Sequence, residues 1–305
     1  MYLGHFKFKV KPFALNPDPA FMYPSEQHAK ALTMLEYAIE SQSPFCMLTG
    51  EIGSGKTTLV RHLIRTLDRP MTVGLISHTH QRFRSIYPWA LSALSVVPRD
   101  TSDIAQYEAL TDYIIGQYGK GKRTLLIFDE AQNLSVQTLE ELRLLSNINS
   151  EADVALQTVL VGQPELREKM ERPELRQFAQ RISIDYHLRA LTLLETEFYV
   201  RHRLQVAGGR DSIFRQSAIR YIFKITGGVP RLINQMCNLS LVYAFAQQRD
   251  RVDAVMVAQV MQDRRIAREG KPPSPEQPLP SVAPVKAADD ASPPRADDGA
   301  VRERA

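Results

Sequence analysis

Residues 50–57 read Gly-Glu-Ile-Gly-Ser-Gly-Lys-Thr and follow directly on the apolar run Phe45-Cys-Met-Leu-Thr49. The pattern G-x-x-x-x-G-K-[ST], placed between a buried strand and a helix, is the signature of a loop that wraps phosphate. Glycines open backbone conformations closed to other residues, so successive N–H groups can converge on phosphate oxygens. The start of the following helix adds the positive end of its dipole. On this chemistry Gly50, Glu51, Ile52, Gly53, Ser54, Gly55, Lys56, Thr57 and Thr58 form a candidate ATP-binding segment. Lys56 is expected to bridge the β- and γ-phosphates, and the Thr57 hydroxyl to ligate Mg2+.

Such a loop needs a parallel sheet behind it, and the chain supplies the pattern. Strand-like runs recur at Phe45–Thr49, Met71–Ile76, Thr124–Phe128, Val154–Val161 and Ile182–Leu188. Helical spacing appears between them, at Leu59, Val60, Leu63, Ile64 and Leu67 and again over Leu139–Leu145. After Leu191 the texture changes. Thr192–Val206, Arg215–Ile225, Pro230–Gln248 and Asp253–Arg268 all carry helical periodicity, with Pro230 placed as a first-turn residue. The expected fold is α/β, a parallel sheet flanked by helices and followed by a small all-helical domain. Its expected divisions are 1–190, 191–269 and a tail at 270–305.

The tail holds eight of the 19 prolines, between Pro272 and Pro294, mixed with Ala, Ser and Asp. So little apolar surface cannot offset the entropy of ordering, and residues 270–305 are expected to be disordered. The whole chain is 44% hydrophobic and 24% charged with a net charge of +4, which permits contact with nucleic acid or anionic lipid but does not require it. No apolar run reaches the 18 or so residues of a membrane span, and the first residues lack the form of a signal peptide. Cys46 and Cys237, far apart in apolar surroundings, read as buried reduced thiols.

Some 70 residues beyond the lysine, Thr124-Leu-Leu-Ile-Phe-Asp129-Glu130 is an apolar strand ending in two carboxylates, the form of a Walker B motif. Asp129 would hold Mg2+ and Glu130 would orient or deprotonate the attacking water. The strand places both at the carboxyl edge of the sheet, where open α/β folds bind ligands.

The opening Pro12-Phe13-Ala-Leu-Asn-Pro17-Asp18-Pro19-Ala-Phe21-Met-Tyr23, His28, the loop at 50–58, Asp129-Glu130-Ala-Gln132, Gly162-Gln163-Pro164-Glu165-Leu166 and Gly227-Gly-Val-Pro230-Arg231-Leu-Ile-Asn234 together resemble the ExeA/GspA-type AAA+ ATPases. The resemblance spans about residues 1–268. It implies a P-loop NTPase fold of the AAA+ kind, with the C-terminal helices acting as a lid. It also implies Gln163 as the sensor 1 polar residue and Arg231 as the sensor 2 arginine. Arg181 is implied as the arginine finger, with Arg176 as the second candidate. Fixed charge and forked donors suit arginine to these posts.

The same resemblance implies an oligomeric Mg-ATPase serving secretion, pilus or exopolysaccharide export. Family members usually carry an asparagine after the second strand that restrains the catalytic glutamate. Here that stretch reads Ser77-His78-Thr79-His80, so any restraint on Glu130 falls to His78 or is lost. His78 and His80 alone do not make a metal site. Some members continue into a membrane span, whereas this chain ends in its proline-rich tail. Its expected place is therefore cytoplasmic, with envelope contact at the inner membrane made through partners. The alternative is a DNA-binding regulator akin to transposition ATPases, with phosphate contacts from His78–Arg84 and Arg264–Arg268.

Overall fold

The computed structural model describes residues 1–15, 21, 23–67, 70–77, 85–150 and 153–269, with the side chains of 265–269 left aside. The chain forms two compact units, Met1–Gln262 and Asp263–Ala305. Of the second, only the end of the last helix is described. The expected disordered tail at 270–305 lies outside the described residues, as do His78, His80 and the rest of 78–84.

Five strands, β1 (Phe45–Gly50), β2 (Met71–Ile76), β3 (Arg123–Phe128), β4 (Leu156–Gly162) and β5 (Ile182–Leu188), pair in parallel in the order β2-β3-β4-β1-β5. The central strands β1, β3 and β4 are buried along almost their whole length, which explains their unbroken apolar runs. Edge strand β5 alternates instead, with Ile182, Ile184 and Tyr186 more covered than Ser183 and Asp185.

Alternate side chains of each strand feed two cores, one on each face of the sheet. Phe45, Met47, Leu126, Phe128, Leu156 and Leu160 pack with α4 (Tyr87–Ala93), α5 (Asp103–Tyr118) and α6 (Val136–Leu145). Cys46, Leu48, Leu125, Ile127, Val159 and Val161 pack with α2 (Glu26–Glu40) and α3 (Lys56–Thr66). Helices α2, α5 and α6 each begin behind a serine whose hydroxyl accepts a first-turn N–H. Both cysteines are free and buried, and burial pushes the Cys46 thiol up to about 12.

A third core holds α9 (Leu193–Val206), α10 (Gln216–Thr226), α11 (Pro230–Ala246) and the start of α12 (Ala254–Glu269). It does not stop at residue 190. Tyr2 and Phe6 of α1 (Tyr2–Phe6), with Phe8, Phe13 and Phe21, are buried in it as well. The helices by themselves leave their apolar faces short of cover, and the aromatic N-terminal segment fills the gap. Arg203, buried on α9, holds that segment down. Its Nε donates to Pro12 O at 2.7 Å, Nη2 to Ala14 O at 3.4 Å and Nη1 to Tyr199 Oη at 2.8 Å, while its guanidinium lies over the Phe21 ring.

The passage from sheet to helices is tightly specified. Thr192 and Glu195 close a capping box at the start of α9. Just before it, Leu191 N donates to Gly228 O at 3.0 Å. Gly228 has φ +77°, and a Cβ there would lie 1.9 Å from Leu191 O, so only glycine fits.

Phe13 is almost wholly buried and meets Phe214 edge-on at 5.8 Å between ring centroids. Phe13→Ala is therefore expected to lower stability by about 3–5 kcal/mol, read as a shift of the denaturant midpoint. A shift within error would contradict the placing of the N-terminal segment in the third core.

Candidate functional site

The strand order sets the site. Because β4 lies between β1 and β3, the carboxyl ends of all three open side by side, and residues 50, 129 and 163 become neighbours. After Gly50 the chain turns through Gly53 (φ +82°) and Gly55 (φ +105°) and enters α3 at Lys56. The helix has a glycine at its N-cap and no side-chain cap. Residues 52–58 line a cavity of about 550 Å3, while Gly50 and Glu51 stand behind it. Lys56 Nζ donates to their carbonyls, at 2.6 and 2.9 Å. Burial holds the Lys56 ammonium below its usual pKa, against the upward pull of Glu130 and Asp129.

His28 braces the loop from α2. Its Nδ1 lies 2.7 Å from Ser25 Oγ and its Nε2 lies 3.0 Å from Ser54 O. The carbonyl can only accept, so Nε2 carries the proton and Ser25 donates to Nδ1. Burial depresses the His28 pKa, which favours this neutral imidazole.

At the end of β3, Asp129 Oδ2 accepts the Thr57 hydroxyl at 2.7 Å and Oδ1 accepts the Glu130 N–H at 3.0 Å. Burial raises the Asp129 pKa and those two bonds oppose the rise. A hydroxyl and a carboxylate this close are hard oxygen donors of the kind Mg2+ takes when it keeps most of its water. Among the described residues there is no cluster of three His, Cys, Asp or Glu side chains that could hold a metal by themselves.

Glu130 lines the cavity from a left-handed backbone, φ +56°. Its Oε2 accepts Gln132 Nε2 at 2.6 Å and Gln163 Nε2 at 3.1 Å. Gln163 also faces the cavity.

Arg231 reaches the cavity from the first turn of α11. Its N–H donates to Gly53 O at 3.2 Å, and a Cβ on Gly53 would meet Arg231 Cβ at 2.4 Å. The loop and the helical part thus touch backbone to backbone. Arg181 lies elsewhere: Nη1 donates to Ser146 Oγ at 2.6 Å, Asn147 Oδ1 at 3.0 Å and Arg143 O at 3.2 Å, at the C-terminal end of α6. Arg176 is exposed beside a separate, open hollow lined by Met170, Pro173 and Gln180.

The cavity is also lined by Leu15, Phe21, Tyr23, Leu191 and Tyr199, with Arg203 and Asn234 against the aromatic rings. Sequence reasoning assigned nothing here, because these residues come from three distant segments. It also gave no role to His28 or Gln132, although both belong to quoted motifs, and Arg203 carried no signal at all.

A sequence profile described as an AAA domain matches residues 39–170. General secretion pathway protein A of Aeromonas hydrophila is 37% identical over 248 residues. The alignment takes in 81% of this chain and 45% of that protein, so the chain spans about half the length of this curated relative. Among solved structures, Aeropyrum pernix ORC2, described with ADPNP and ADP, has a TM-score of 0.60 at 20% identity, covering 83% of this chain and 71% of its own. Cdc6p of Pyrobaculum aerophilum has a TM-score of 0.61 at 16% identity, covering 80% and 70%. The Walker-type ATPase PABY2304 of Pyrococcus abyssi has 0.57 at 16%, covering 84% and 78%. At such identities these three establish the fold alone, an AAA-type parallel sheet with helices after it. With that fold, the AAA profile and the extended identity to the secretion protein, the chain belongs to the ExeA/GspA-type AAA+ family.

Proposed function

We propose that the chain binds Mg-ATP in the cavity at residues 52–58 and hydrolyses it, acting as an oligomer on a secretion or envelope export system. The observation that carries the chemistry is the meeting of Lys56, Thr57 and Glu130 at one cavity, with Asp129 buried behind Thr57 and bonded to its hydroxyl. In this reading the loop N–H groups and the dipole of α3 hold the phosphates. Lys56 exchanges the carbonyls of Gly50 and Glu51 for β- and γ-phosphate oxygens. Thr57 and Asp129 would hold magnesium, whose charge neutralises what develops on the transferring phosphoryl group. Glu130 orients the attacking water and accepts its proton, Gln163 contacts the γ-phosphate or that water, and Arg231 reports the γ-phosphate to the helical lid. The adenine base stacks among Phe21, Tyr23 and Tyr199.

The partner system is inferred from the 37% identity to general secretion pathway protein A. Among the described residues no helix is long and apolar enough to cross a membrane. For the alternative partner, duplex DNA, the segment at 78–84 lies outside the described residues, as do the side chains of Arg265 and Arg268.

An arginine supplied in trans completes the reading. Arg181 would have to release Ser146 and Asn147 to leave its own chain. Arg176 is exposed and, among the described residues, carries no such side-chain bond, so it is the better placed of the two.

Two measurements test these assignments. Glu130→Gln is expected to lower ATP turnover by about 10²-fold or more while ATP still binds, and Lys56→Ala to lose binding. Wild-type turnover no faster than that of Glu130→Gln would leave only a nucleotide-gated scaffold. Turnover per subunit should rise as the protein concentration crosses the assembly range, and Arg176→Ala should abolish that rise. Constant specific activity across the range would remove the trans arginine.

A further inference from the structure

Gln132 stands behind the carboxylate that the proposed hydrolysis depends on, and it does not itself line the cavity. Its amide is held at both ends. Oε1 accepts the backbone N–H of Gln163 at 3.0 Å, and Nε2 donates to Glu130 Oε2 at 2.6 Å. The amide cannot be reversed, because an N–H would then face an N–H and a carbonyl would face a carboxylate. Room for the side chain comes from the end of β4. A Cβ on Gly162 would lie 3.0 Å from Gln132 Oε1.

The backbone of the same short turn is held from the other side. Lys169, at the end of α7 (Glu165–Met170), donates from Nζ to Gln132 O and, at 2.6 Å, to Leu134 O. These are carbonyls at the end of the 3-10 turn Ala131–Asn133, which no helix continues. Glu130 itself sits at φ +56°, a conformation that side-chain-bearing residues keep only when their surroundings impose it.

We infer that Gln132 is a positioning residue for hydrolysis, aiming the Glu130 carboxylate into the cavity through its amide, with Lys169 fixing the turn that carries it. This rests on Glu130 being the hydrolytic acid of the proposed function. The aim is set from the β4–α7 side of the site, a different place from the stretch after β2 where the family resemblance put a restraint. Two amide donors on one carboxylate oxygen leave the side chain little freedom to swing, so losing one costs orientation rather than binding.

The test uses the full chain. Gln132→Met keeps length and volume and removes both hydrogen bonds. Steady-state hydrolysis should show kcat down about 10-fold or more, with affinity for a fluorescent ATP analogue unchanged within about twofold. In the Glu130→Gln background the same substitution should add no further loss of residual turnover, because the residue acts only through Glu130. Lys169→Met should reproduce the kcat defect, and it stands in for Gln132→Met should that variant not fold. A kcat for Gln132→Met equal to or above wild type overturns the inference, as does a full additional loss in the Glu130→Gln background. Wild-type turnover no faster than that of Glu130→Gln overturns the proposed hydrolysis and this inference together. Robust wild-type turnover that neither Gln132→Met nor Lys169→Met alters overturns the inference alone.

Discussion

The site depends on the pairing of β4 between β1 and β3. Parallel ladders leave all their carboxyl ends on one edge, and this order brings three particular ends together. One ends in the glycine-rich loop, one in Asp129-Glu130 and one in Gln163. The hydrogen bond from Thr57 to Asp129 closes the first two against each other, and the glutamine pair closes the second against the third. Were β3 paired directly to β1, Glu130 would lose the Gln163 donor that stands at the end of β4.

Burial gives the site its electrostatic character. Lys56 and Asp129 are both largely shielded from water, and desolvation pushes each toward its neutral form. Each is kept in place by partners that favour the charged form: carbonyls on the ammonium, a hydroxyl and an N–H on the carboxylate. Groups held in this way suit a ligand that brings strong charge, because their orientation is fixed before it arrives.

The glycine-rich loop and the C-terminal helices touch directly. Gly53 lies under Arg231 with its carbonyl bonded to the Arg231 N–H, and Gly228 takes Leu191 into the turn that precedes α11. The aromatic N-terminal segment, clamped by Arg203, belongs to the same core as the C-terminal helices, and its Leu15, Phe21 and Tyr23 line the cavity. Helix α11 is thus one residue contact away from the glycine-rich loop, and residues of the third core line the same cavity.

Much of this was legible in the residues. The limits of β2 follow from an apolar run after Pro70, those of β5 from alternating apolar residues, and the starts of α9 and α11 from Thr192 and Pro230. Helix α2 carries the same kind of local signal, with Ser25 as its cap and apolar residues at Leu32, Leu35 and Ile39, but of its residues only His28 was singled out. The sequence by itself determined the phosphate loop and the two carboxylates, because their chemistry demands those residue types at local spacing. It also determined the alternation of strand and helix, since periodicity is a local property. Only the tertiary structure decided that Phe13 and Phe21 belong to the core of the C-terminal helices, that Arg203 is a buried clamp, that Arg181 is tied within its own chain and that Gln132 and Lys169 stand behind Glu130. Most of those relations join residues from dozens to about two hundred positions apart, and no local pattern records a contact that chain topology alone creates.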